Sequence, residues 1–93
     1  MRTAKLIDVV ANLESYDADL TIYATKPWTC ESDALVAREP AEGGVPPEAR
    51  MCRAEYFLEI FVANEVLEGW FAAARPSTRE RCDRLIRYAI DDA

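Results

Sequence analysis

The apolar pattern predicts an α+β fold: a three-stranded antiparallel sheet with helices packed on it, in the order α-β-β-β-α-α. Three observations carry this. A helical period marks both ends of the chain, a two-residue period marks three short segments between them, and the connections are too short for the crossovers that parallel strands need.

Leu6, Val9, Val10 and Leu13 recur at i, i+3, i+4 and i+7, with Asp8 and Asn12 on the other side, which predicts a helix from Thr3 to about Leu13. Leu20-Thr21-Ile22-Tyr23-Ala24 is β-branched and aromatic and predicts a strand. Lys26 to Asp33 has neither period and contains Pro27, so it is expected to be a loop, with a second short strand from Ala34 to Arg38. Pro40 to Glu48 holds Pro40, Pro46, Pro47, Gly43 and Gly44, and on that composition it is expected to be neither helix nor central strand.

Tyr56 to Val62 gives the strongest strand pattern and is expected to lie centrally in the sheet. Tyr56, Leu58, Ile60 and Val62 would share one face, with Phe57, Glu59 and Phe61 on the other. Asn64 then reads as the N-cap of a helix with Val66, Leu67, Trp70, Phe71 and Ala74 on its apolar side, ended by Pro76. Leu58 and Ile60 are expected to pack on Leu67, Trp70 and Phe71 of that helix. Ser77 and Glu80 form a capping box before a last helix with the stripe Cys82, Leu85, Ile86, Ala89 and Ile90.

At 93 residues the chain has room for one core, so residues 1–93 are expected to form a single α+β domain. Seventeen acids against eleven bases give a net charge of −6, which disfavours nucleic acid and an anionic membrane and favours a basic protein surface as partner. No stretch resembles a signal peptide or a membrane span, and Cys30, Cys82 and Cys52 are odd in number and widely spaced. A cytoplasmic protein with free thiols is the expectation.

Histidine is absent, which excludes His-dependent triads and every His-containing metal site. Gly43-Gly44 is followed by Val-Pro-Pro and not by a helix start, which argues against a phosphate-binding loop. Cys30 and Cys82 read as packing residues, and Arg79, Arg84 and Arg87 read as i,i+4 partners of Asp83, Glu80 and Asp91. No catalytic residue, cofactor site or metal site is assigned, and the chain is not expected to be an enzyme.

Two features stand out from this plain surface. Trp28 precedes an acid-rich stretch with Glu31, Asp33, Glu39, Glu42 and Glu48, which reads as a partner-binding region with an aromatic anchor. Tyr23, Phe57 and Phe61 would lie on the second face of the sheet, which is either covered by a further helix or used as the interface of a homodimer or hetero-complex.

The order of features resembles a family of small acidic bacterial proteins without an assigned activity, some of them encoded beside polymorphic-toxin genes and suspected there of being immunity proteins. The resemblance rests on an N-terminal helix, Thr21-Ile22-Tyr23-Ala24 leading to Trp28, Ser32-Asp33-Ala34-Leu35-Val36, and an acidic proline-containing loop. Tyr56-Phe57-Leu58-Glu59-Ile60 and the closing Leu85-Ile86-Arg87-Tyr88-Ala89-Ile90-Asp91-Asp92-Ala93 complete it. The arginines of the last helix depart from the more acidic members. The resemblance implies a protein-binding module, with an immunity-like occlusion of a toxin surface as one form; the apolar face of Tyr23, Phe57 and Phe61 supports the alternative, a self-associating structural or regulatory domain.

Overall fold

The computed structural model describes residues 3–70 and 76–91. Its elements are β1 (Ala4–Lys5), α1 (Leu6–Ala11), a 3-10 turn (Leu13–Ser15), β2 (Thr21–Thr25), β3 (Asp33–Ala37), α2 (Pro47–Met51), β4 (Ala54–Glu59), α3 (Ile60–Glu68) and α4 (Thr78–Asp91). The sheet has four antiparallel strands, where the sequence predicts three, in the order β1-β3-β2-β4.

The extra strand comes from the start of the predicted first helix. Lys5 takes an extended conformation as N-cap, so Ala4 and Lys5 pair with Ala34 and Asp33 before α1 begins. The first helical N–H groups, which have no partner within a helix, are then satisfied by the next loop. Leu6 donates to the carbonyl of Ser32 at 2.8 Å and Ile7 to that of Cys30 at 3.0 Å. Leu6, Val9, Val10 and Leu13 are all buried, as their spacing predicts.

The largest departure is at β4. This strand lies at the sheet edge and among the described residues pairs only with β2, so the interior positions belong to β3 and β2. Ile22 pairs with Leu58 and Tyr23 with Tyr56, so one step along β2 spans two along β4 and Phe57 is the additional residue of a bulge. The bulge breaks the alternation, and Phe57 and Leu58 both enter the same core. The strand ends at Glu59. Ile60 and Val62 belong to α3, which places Asn64 inside that helix and not at its cap. Main-chain carbonyls serve its first amides: Ile60 donates to Leu20 at 2.9 Å and Phe61 to Ala18 at 3.1 Å.

The main core lies between one sheet face, carrying Ile22, Ala24, Ala34, Phe57 and Leu58, and the inner sides of α1, α3 and α4. Leu67 packs against this core, whereas Phe71 and Ala74 fall outside the described residues. α4 opens on the predicted capping box: Ser77 N donates to Glu80 Oε1 at 2.7 Å, and Glu80 N to Ser77 Oγ at 3.1 Å.

The second sheet face is covered by α2, a helix inside the segment whose prolines argue against one. Pro46 is the N-cap and Pro47 follows it, where the missing N–H costs nothing because no helical acceptor exists there. Ala49 is pressed against Tyr23, Leu35 and Ala54 in a smaller second core. The Tyr23 hydroxyl is buried there and makes no well-formed hydrogen bond among the described residues, although the Thr21 side chain is close enough to act on it. Tyr23→Phe is therefore expected to leave stability unchanged or raise it by up to about 1 kcal/mol, since a buried unpaired hydroxyl is a cost. A drop of that size in urea unfolding would show a partner for the hydroxyl.

Candidate functional site

The residues predicted to meet a partner are not gathered into one surface. β3 divides them: Trp28, Glu31 and Asp33 lie in or just after the β2–β3 loop, while Glu39 and Glu42 lie beyond the other end of the strand and Glu48 on α2. Trp28 turns inward. Its Nε1 donates to the carbonyl of Ala24 at 3.1 Å and its ring meets the Phe57 ring edge-on, centroids 5.0 Å apart at 86°. Lys26 Nζ sits 4.9 Å from the same ring. These interactions make Trp28 the clasp of its loop and not a projecting anchor.

Two of the acids are compensated within the chain. Glu31 accepts from Arg79 at 2.8 Å and Asp33 from Lys5 at 3.2 Å. Arg79 thus reaches across to the β2–β3 loop and not along its own helix to Asp83, and none of the three predicted i,i+4 pairs of α4 closes to 4.0 Å among the described residues. Glu39, Glu42 and Glu48 form no ion pair there, but Arg50 lines a shallow pocket with Glu42, and Arg53 follows α2 in the chain. Met51 stands 88% exposed on α2 between those arginines.

The strip Tyr23, Phe57 and Phe61 does not exist as an exposed face. Tyr23 is fully buried under α2 and Phe57 lies in the main core; the bulge and the helix start separate them. Phe61 alone is 44% exposed, on the outer side of α3. On α3 and the chain that packs against it the structure brings together acids that have no common signal in the sequence. Glu14 comes from the 3-10 turn, Asp17 from the loop whose Ala18 carbonyl receives the Phe61 amide, and Glu65 and Glu68 from α3. All four are exposed, and none is in an ion pair among the described residues. Nearby Asp19 is held by Arg38 at 2.9 Å, and that guanidinium lowers the Asp19 carboxyl from its usual range.

Compared with protein-family models, curated proteins and solved structures, the chain matches none.

Chemistry at the thiols is discouraged by their surroundings. Cys30 and Cys82 are both buried in the main core, and the Cys30 thiol donates to Asp83 Oδ1 at 3.2 Å. Burial raises both thiols, and the Asp83 carboxylate raises Cys30 further by stabilising the protonated form. Among the described residues no group of three Cys, Asp or Glu side chains could hold a metal ion, and no helix is long and apolar enough to cross a membrane.

Burial likewise raises Tyr23 and Tyr56, helped in Tyr23 by Glu39 and in Tyr56 by Glu59. The folded chain thus holds these protons more tightly than the unfolded chain does. Their contribution to stability is complete below the unfolded thiol range of about 8.5 and is lost as pH rises through the folded values. Urea midpoints are expected to fall steadily above about pH 8.5; a flat profile to about pH 11 would contradict the burial of Cys30, Cys82 and Tyr23.

Proposed function

We propose that the chain is a non-enzymatic protein-binding module that occupies a basic surface of a partner protein, immunity-like in kind and acting in the cytoplasm. The observation that carries the reading is the set of exposed carboxylates without an ion pair among the described residues, Glu65 and Glu68 on α3 with Phe61, and Glu14 and Asp17 on the chain that packs against that helix. Acids that outnumber the bases near them, here Arg81 and Arg38, raise the rate of encounter with a basic partner and penalise acidic ones, and a half-buried aromatic nearby supplies an anchor. The net charge of −6 acts in the same direction at longer range.

The test is recovery of the tagged chain from its own cells at two salt concentrations. A basic protein in fixed ratio, released between about 0.1 and 1 M salt as screening shortens the reach of charge, is the expected result. Recovery of the chain alone, or of a partner indifferent to salt, would remove the reading.

A second reading, self-association, is favoured by one observation. The outer edge of β4 has no partner strand among the described residues, and Tyr56 stands 42% exposed on it. An open edge is a template for a second strand. Light scattering at high concentration separates the two readings, because a strict monomer leaves only the first.

A further inference from the structure

Between the 3-10 turn and α3 runs an open groove of ≈ 460 Å³, lined by Leu13, Glu14, Asn64, Leu67, Glu68 and Arg81. Its composition is specific. Leu13 and Leu67 provide apolar surface, Glu14 and Glu68 provide carboxylates from two separate elements, and Asn64 adds a neutral amide. A long cationic side chain has the same two parts, an apolar stem and a charged head, and buries the first while keeping the second among polar groups.

We propose that this groove receives an arginine from a basic amphipathic helix of the partner protein, a step that rests on the binding-module reading and names its site. Arginine suits the groove better than lysine. A planar guanidinium offers five donors and meets carboxylates in pairs of hydrogen bonds, and it can serve Glu14, Glu68 and the Asn64 carbonyl together, whereas an ammonium offers a single point of charge. Arg81 also lines the groove, and it weakens the site for cations without neutralising the two acids.

The neighbouring surface specifies more of the occupant. Phe61, Asn64 and Glu68 follow each other at i, i+3 and i+7 and so share one side of α3. Seven residues of helix span about 10 Å. A partner helix lying along α3 would therefore place its arginine at Glu68 and an apolar residue, about seven positions away, on Phe61. Asp17 stands beside that second position, because the Phe61 amide is bonded to Ala18. Charge decides between classes of occupant: nucleic acid and acidic lipid headgroups meet four acids, in no ion pair among the described residues, against Arg81 and Arg38, while a basic helix meets its complement.

The experiment titrates the isotope-labelled chain, by amide chemical shifts, with a synthetic helical peptide carrying Arg and Leu seven residues apart on one side, and with its Glu-for-Arg twin. The expected result is saturable shifts at Leu13, Glu14 and the segment from Phe61 to Glu68 with the Arg peptide only. Affinity should fall about tenfold in the Glu14→Gln/Glu68→Gln double variant and rise about threefold in Arg81→Gln, and it should not change in Glu39→Gln/Glu42→Gln/Glu48→Gln. These side chains are exposed or line an open groove, so circular dichroism should show the variants folded. Equal binding of the twin, or the absence of shifts with either peptide, would overturn the groove. Shifts confined to the Glu39–Glu48 loop would overturn it too, while leaving the binding-module reading intact. That reading fails separately, if the salt-sensitive partner is not recovered from cells.

Discussion

Phe57→Ala is expected to destabilise the chain by about 3 to 5 kcal/mol and Leu58→Ala by about 2 to 5 kcal/mol. Either loss is a large part of the roughly 5 to 15 kcal/mol that holds a domain together. The reason lies in the bulge. In a regular strand one of two successive residues would face away from the main core, but here both side chains are buried in it. Position at the sheet edge does not soften the effect, because the cost follows the apolar surface removed and the cavity left behind, and both residues are almost wholly covered. Glu42→Ala, on the exposed loop, should change stability by no more than about 0.5 kcal/mol. Urea melts of the three variants decide the matter: a Phe57→Ala midpoint equal to that of Glu42→Ala would sink the assignment of both neighbours to one core.

Trp28→Ala is expected to cost about 3 kcal/mol, with the loss felt beyond its own loop. The indole closes the β2–β3 connection onto Ala24 and Phe57, and the carbonyls of Cys30 and Ser32 in that connection hold the first amides of α1. Freeing the loop removes those acceptors as well. A double-mutant cycle with Phe57 should give a coupling of about 0.5 to 1.5 kcal/mol for the edge-on ring pair. A Trp28→Ala variant of unchanged stability that had lost its partner would return Trp28 to the role of anchor.

Much of the fold could be read locally, and the failures have physical causes. α1, β2, β3 and α4 each carry a pattern completed within one element, and the Ser77–Glu80 box closes over three residues. β4 and α3 share one stretch from Tyr56 to Val62 that is apolar but for Glu59, and that single acid fits a strand's alternation as well as it fits a boundary, so hydrophobicity does not mark where extended chain becomes helix at Ile60. The bulge at Phe57 then shifts the phase, which a strict two-residue alternation cannot represent. α2 is hidden by its prolines, whose tolerance at a helix start depends on their position and not on their number.

The candidate site was less legible, because compensation of charge is a long-range property. Glu31 and Asp33 look like free acids until the fold brings them Arg79 and Lys5. Glu14 and Glu68 carry no shared motif, since the groove they line exists only after α3 has docked on the chain before β2. A helical-wheel reading of Phe61, Asn64 and Glu68 would have pointed to it, had the helix been begun at Ile60 and not at Asn64.

The interior strand β2 meets its two neighbours at unequal distances along the chain, and this sets an order in time. β3 returns to β2 after the short Lys26–Ser32 connection, whereas β4 reaches it only after the Gly43-Gly44 turn and the whole of α2. Closing a longer loop costs more entropy before any pairing repays it. The β2–β3 pairing is thus the early event, and arrival of β4 is the slow one. Tyr23 stays wet through the interval, because Ala54 and Ala49, which cover it, arrive with β4 and α2. Folding rate is accordingly governed by the long connection, and shortening it at Gly43-Gly44, where both residues have positive φ and no side chain packs, should hasten folding while leaving the native packing as it is.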